Sequence, residues 1–182
     1  VHARAQIVQF YTSKDLAPER LRRGLNGVLP QDIRVIDVEY KKFHPTLDAL
    51  YKTYHYDLCH SVVQDPFYRH LSWHYPYKIE LSAMRQAAKE LIGTRSFAAF
   101  TTEQKKNPIC TLSQIDLIPL GDERLRIALT GERFLYKMAR TLAGTLANIG
   151  SGKLASLPEI AERSKTGVTA PPHGLTLHKV YY

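Results

Sequence analysis

Cysteine is the first shortage. Among 182 residues there are only Cys59 and Cys110, too few for a disulfide framework or a cysteine-rich metal site. Long apolar runs are missing too: no stretch of eighteen apolar residues exists, so no segment reads as a membrane-spanning helix. No charged-then-apolar leader precedes the first extended run. Together these shortages suit a reducing, cytoplasmic compartment. The chain also has no initiator Met and opens directly on "VHARAQIVQF". Acidic residues fall short as well: 17 Asp plus Glu face 25 Lys plus Arg, for a formal charge of +8.

Such a surplus suggests a polyanion partner, because neutralising phosphates releases counterions. The basic residues are dispersed in short clusters: Arg20 to Arg23, Lys41–Lys42, Lys105–Lys106, and Arg133, Lys137 and Arg140. That dispersion fits a folded, basic-faced RNA binder better than a disordered arm. With 44% apolar residues, the chain is expected to build a core without staples. Residues 1–182 are read as one domain.

Periodicity predicts the elements. Residues 3–11 read as a strand. A helix follows from Pro18, with Leu16, Leu21, Leu25 and Val28 on one side and Pro30 ending it. "DIRVIDVEY" (32–40) and "ALYKTYHYDLCH" (49–60) alternate as strands do, the second with Tyr54 and Tyr56 on one face and Thr53 and His55 on the other. "ELSAMRQAAKELIG" is a helix with a Leu81, Met84, Ala88 and Leu91 stripe and Gly93 just past its end. "ICTLSQIDLIPL" and "RLRIALT", joined at "GDE", form a hairpin. Residues 133–149 predict a helix burying Leu135, Met138, Leu142, Leu146 and Ile149, with Arg133, Lys137 and Arg140 on the far side. "HGLTLHKVYY" closes as a strand. These elements make an α+β fold with a mixed, mostly antiparallel sheet and helices on one face.

Several motifs carry little chemistry. His70 and His74 in "HLSWH" have zinc-ligand spacing but no adjacent Glu general base, so no metal is expected. "IGSGKL" has Ala147 where a phosphate loop needs its first Gly and Leu154 in place of Ser or Thr, and reads as a helix end and turn. "YKTYHYDL" is more informative. Tyr51, Tyr54 and Tyr56 with Lys52 could stack single-stranded bases and hold a phosphate, although alternating Tyr is also ordinary strand composition.

Six stretches, in order, resemble the tRNA pseudouridine synthase A (TruA) family: "VHARAQIVQF", "NGVLPQDIRV", "FHPTLDALYKTYHY", "AAKELIGTRSFAAF", "GERFLYKMARTLAGTLANIGSGK" and "TAPPHGLTLHKVYY". The first looks like the continuation of the family's catalytic motif, Arg-Thr-Asp-x-Gly-Val-His-Ala, which would place the catalytic Asp three positions ahead of Val1. The resemblance implies the C-terminal two-thirds of a pseudouridine synthase fold. It implies isomerisation of uridine to pseudouridine in the tRNA anticodon arm, with no cofactor or metal and as a homodimer. The target base is flipped out, attacked by the Asp, released from its glycosidic bond and rejoined through C5. On the matching positions, Arg140 pairs with the Asp and Tyr54 packs on the base. His2, in the tail of that motif, is expected to brace the catalytic loop, and Lys52, Arg133 and Lys137 are further candidate substrate contacts, as cations for its phosphates. The 182 residues alone are expected to lack catalysis.

The chain departs from the family at Thr46 and Cys110, where arginines are usual, and at Ser96, Glu132 and Arg133. These departures leave an alternative, a non-catalytic tRNA-binding paralogue or RNA chaperone. A basic scaffold for another protein is a weaker one.

Overall fold

Alternation along "YKTYHYDLC" organises the sheet of this protein. The structure, a computed structural model, describes residues 1–103, 107–158 and 168–182. Its contacts divide into two units, Val1–Gln6 with Ala49–Tyr182, and Ile7–Asp48. In the larger unit the strands are β1 (His2–Ala3), β2 (Tyr51–Cys59), β3 (Trp73–His74), β4 (Gly93–Ser96), β5 (Ile109–Gly121), β6 (Arg124–Gly131) and β7 (Leu175–Tyr181). They hydrogen-bond in the order β1-β7-β2-β6-β5-β4, with β3 also on β2. β1 runs parallel to β7 and β3 parallel to β2; the other pairs are antiparallel. The expected α+β class and mostly antiparallel sheet are therefore present.

Because successive strand residues face opposite ways, Lys52, Tyr54, Tyr56 and Leu58 share one face. Leu129, Ile127 and Leu125 stand opposite Tyr54, Tyr56 and Leu58 on β6. Leu177 and Leu175 do the same on β7 for Tyr54 and Tyr56. Two helices close this face: α2 (Leu81–Leu91) and α3 (Met138–Gly150). Met84, Ala88 and Leu91 from α2 and Met138, Leu142 and Leu146 from α3 join the sheet residues in one apolar cluster. Gly93 sits one residue past the cap Ile92, as expected. The hairpin joint is a two-residue turn, Asp122–Glu123, with φ of 49° and 52°. Two positive φ values match the right-handed twist of the flanking strands.

Three expectations need correction. Of the run read as a strand over 3–11, residues 4–11 are not strand, and neither are 32–40. Beyond Ala3 the first run has no ladder, and Val8 and Tyr11 are exposed. In the smaller unit the helix α1 (Pro18–Val28) begins and ends as the prolines dictate. Its Asn26 amide donates to the Val35 carbonyl and accepts from the Val35 N–H, at 2.9 and 2.8 Å. A side chain thus occupies the groups a partner strand would have used. Alternation reports only a capacity for pairing.

The third correction concerns α3, which starts at Met138, five residues later than periodicity suggests. Lys137 adopts left-handed φ 60°, ψ 2°, and Met138 N–H donates to the Leu135 carbonyl in a tight turn. Leu135 is still buried, so its apolar spacing was real although its backbone is not helical. Arg133 and Lys137 are consequently off the helix, and only Arg140 lies on it.

One close approach fixes the end of this layer. A Cβ on Gly144 would stand 1.8 Å from the Val168 carbonyl oxygen. Helix propensity favours Ala over Gly by about 1 kcal/mol, but this overlap is with rigid backbone. Gly144→Ala is expected to destabilise the protein by about 1–3 kcal/mol net, measured by urea unfolding; an unchanged midpoint would refute the contact.

Candidate active site

Tyr54 is the central residue. β2 places it on the helix-bearing face, two residues before Tyr56 and therefore roughly 6–7 Å from it along the strand. Its ring meets Phe134 edge-on, with centroids 4.9 Å apart and an interplanar angle of 77°. Such a geometry aligns a positive ring edge with a negative ring face. Tyr54 is half-buried, and burial pushes its phenol above the usual tyrosine range. Its hydroxyl therefore remains protonated at neutral pH.

Arg140 enters from the first turn of α3. Its Nε donates to the Ala170 carbonyl at 2.6 Å, while the Ala170 N–H donates to the Arg140 carbonyl at 3.2 Å. Side chain and backbone of one residue thus clamp Ala170 through the two peptide units that flank its Cα. The neighbouring Pro171 carbonyl accepts from the Tyr56 hydroxyl at 2.9 Å. Burial drives the Tyr56 phenol strongly upward, and the positive charge of Arg140 acts in the opposite direction. Arg140 makes no ion pair among the described residues. It is a half-buried cation held by one nitrogen.

The remaining residues named from the sequence are arranged less uniformly. Lys52 lies on the face of Tyr54, opposite Gly131 and Val180 in register. Lys137 immediately precedes α3, its Nζ 5.0 Å from the Tyr136 ring centroid. Arg133 is exposed and donates to the carbonyls of Asn107 and Ile109. His2 pairs in register with Thr176, and Thr176 with His55, so His2 belongs to the sheet face opposite Tyr54. Its Nε2 lies 2.7 Å from the His70 carbonyl.

The triple-tyrosine platform is divided by the same alternation. Tyr56 is fully buried and Tyr51 faces the other side, leaving only Tyr54 able to meet a base on the helix-bearing face. Phe134 and the Ala170–Pro171 peptide units escaped sequence reasoning. Phe134 looked like one more apolar residue, and a backbone acceptor has no residue-type signal. Cys110 is 3% exposed within the core, so this position presents nothing to a phosphate. Thr46 lies in the smaller unit beside a turn in which the His44 Nδ1 accepts from the N–H groups of Thr46 and Leu47. Lys105 and Lys106 lie outside the described residues. Among the described residues no group of three or more His, Cys, Asp or Glu could hold a metal.

The chain belongs to a class of RNA-modifying enzymes. The sequence model for the family described as tRNA pseudouridine synthase matches residues 87–182. The chain is 42% identical over its full length to tRNA pseudouridine synthase A 2 of Protochlamydia amoebophila, covering 74% of that protein. It is 37% identical to tRNA pseudouridine synthase A of Bacillus subtilis, covering all of this chain and 77% of that one. Similarity to the Pseudothermotoga lettingae enzyme of the same name is 35%, over 99% and 77% of the two chains. The chain belongs to the tRNA pseudouridine synthase A (TruA) family.

Replacing Phe134 by Ala removes the edge-on partner and opens the Tyr54 ring to water. The phenol pKa of Tyr54 is expected to fall back toward its ordinary value, read from its carbon-13 ring resonance, with a stability loss of about 2–5 kcal/mol from pairing and packing together. An unmoved pKa would show that Phe134 does not desolvate Tyr54.

Proposed function

We propose that this chain forms the base-binding and electrostatic half of an enzyme that isomerises uridine to pseudouridine in the anticodon arm of tRNA. The observation that carries this is the shared Ala170–Pro171 anchor, which fixes Arg140 beside Tyr56 on the face that presents Tyr54. In the proposed reaction a motif carboxylate ahead of Val1 acts as nucleophile. The carboxylate bonds to C1′ as the C1′–N1 bond breaks, the uracil turns between walls that include the Tyr54 ring, and C5 then displaces the carboxylate as the C1′–C5 bond forms. C5 then loses its proton and N1 gains one, so the atoms balance without a cofactor.

Arg140 has a definite task in this scheme. In a pocket closed to water a carboxylate tends to protonate, and an adjacent guanidinium within ~4–6 Å keeps it ionised. A planar, always-charged group suits that task better than an ammonium. Lys52 and Lys137 are the proposed phosphate contacts. Arg133 and His2, already committed to backbone carbonyls, support the surrounding loops. Homodimeric assembly is part of the proposal and rests on family membership.

Steady-state pseudouridine formation by the protein carrying the motif, combined with tRNA binding, tests this. Arg140→Ala is expected to lower kcat about a hundredfold or more, and Tyr54→Phe about tenfold, each with tRNA affinity changed less than threefold. Arg140→Lys should recover only part of the loss. Residues 1–182 alone are expected to bind tRNA in a salt-sensitive manner without turnover. Full kcat in both variants would remove Arg140 and Tyr54 from the site, while binding without product by the motif-carrying protein would favour a non-catalytic tRNA-binding protein.

A further inference from the structure

The sheet face turned away from α2 and α3 carries a different chemistry. The register of β7 against β2 jumps there, because Thr53 pairs with Lys179 but Tyr54 with Leu177, leaving His178 as an extra residue. Such a bulge re-aims a side chain. Here it lays the His178 ring flat on His55, centroids 3.9 Å apart and planes at 17°. Charged groups surround the pair from each neighbouring strand. Arg4 follows β1 alongside β7, its N–H donating to the Leu177 carbonyl at 2.8 Å. β7 adds Lys179, whose Nζ lies 4.6 Å from the Tyr181 ring centroid. β2 contributes Asp57, held by Arg126 of β6 through two hydrogen bonds of 2.8 Å. Three cations thus face one carboxylate, and Tyr51 and Tyr181 stand beside them, each about two-fifths exposed.

We propose that this face is a second RNA-docking surface, which takes the phosphodiester backbone through Arg4 and Lys179 around the stacked His55–His178 pair, with Arg126 held back by Asp57. The inference goes beyond the isomerisation chemistry and does not depend on it. Cations gathered beside partly exposed aromatic rings on one sheet face suit the phosphodiester backbone of RNA, paired or single-stranded. A second copy of this chain suits it poorly, since a twofold contact would set this cationic cluster against its own image.

The imidazoles supply a distinctive signature. Burial first, then His178 and Arg126, push His55 down to about 4, with Arg4 adding to them and Asp57 opposing. Burial, then Arg4, Arg126 and Lys179, lower His178 as well. Both rings are therefore neutral at pH 7, held so first by burial and then by the cations around them. An incoming phosphate reverses that field and raises their proton affinity, so binding takes up protons and tightens as pH falls. The free protein responds in the opposite sense. Its unfolded state binds these protons more readily, so stability is lost as pH falls from about 6.5 toward 4.

The test uses the 182-residue protein and a short RNA duplex without a loop, which has no uridine target to offer the isomerisation site. Arg4→Glu with Lys179→Glu is expected to weaken duplex binding at low salt at least fivefold. In the unsubstituted protein the His55 and His178 ring resonances should shift on adding the duplex, with their titration midpoints moving up. Duplex binding unaffected by the charge reversals would overturn the proposal. So would ring resonances that stay put while the duplex binds, or a self-association that the reversals abolish or strengthen without changing RNA affinity.

Discussion

The packing of residues 168–171 across α3 is the constraint on which the site depends. It exists because position 144 has no side chain: the Val168 carbonyl occupies the space a Cβ would need. Once this segment lies against the helix, its peptide groups must find hydrogen-bond partners, since buried backbone polar groups left unpaired are costly. Arg140 supplies a donor and an acceptor to Ala170, Tyr56 supplies a donor to Pro171, and the hydroxyls of Thr141 and Thr169 lie 3.3 Å apart. A glycine in a helix thus determines the direction of a guanidinium one turn away.

That arrangement resolves a conflict over charge. A half-buried arginine loses hydration, and an arginine satisfied at every nitrogen would have little left for a substrate or nucleophile. Here the Ala170 carbonyl engages Nε, and no carboxylate among the described residues pairs with the guanidinium. The contrast with Arg126 is instructive. Arg126 uses Nε and a terminal nitrogen together on Asp57, the two-pronged geometry that locks an arginine into the fold. Two arginines equally visible in the sequence therefore have different capacities, decided by their partners.

Legibility followed the same division. The paired strands β2, β5, β6 and β7 and the helix α2 could be read because period and burial agree along them. The stretches at 4–11 and 32–40 have strand composition without ladder partners, and a sequence does not name the partner. For α3 the apolar spacing is right as far back as Leu135, but the left-handed turn at Lys137 has no signal in a hydrophobic period. Tyr54 was named first from its alternating run and then, with Arg140, through family resemblance, whereas periodicity assigned all three cations of 133–140 to one face. Phe134, Ala170 and the His55–His178 stack were invisible: the first acts through ring geometry, the second through its backbone, the third through a bulge.

The bulge links the two faces of the sheet. Nine residues of β2 present Tyr54, Tyr56 and Leu58 to the helices and Thr53, His55 and Asp57 to the other side. An exact register would keep β7 in step with both sets. One extra residue at His178 leaves Leu177 and Leu175 opposite Tyr54 and Tyr56 in the core, so the apolar face is undisturbed. The whole adjustment falls on the polar face, where an additional side chain can be accommodated because neither α2 nor α3 packs there. Chemistry on that face can therefore change by single substitutions on β7 without repacking around Tyr54, whereas the Tyr54 side is tied through Tyr56 and Arg140 to one shared peptide segment. One side of the strand is held by packing, and the other is free to vary.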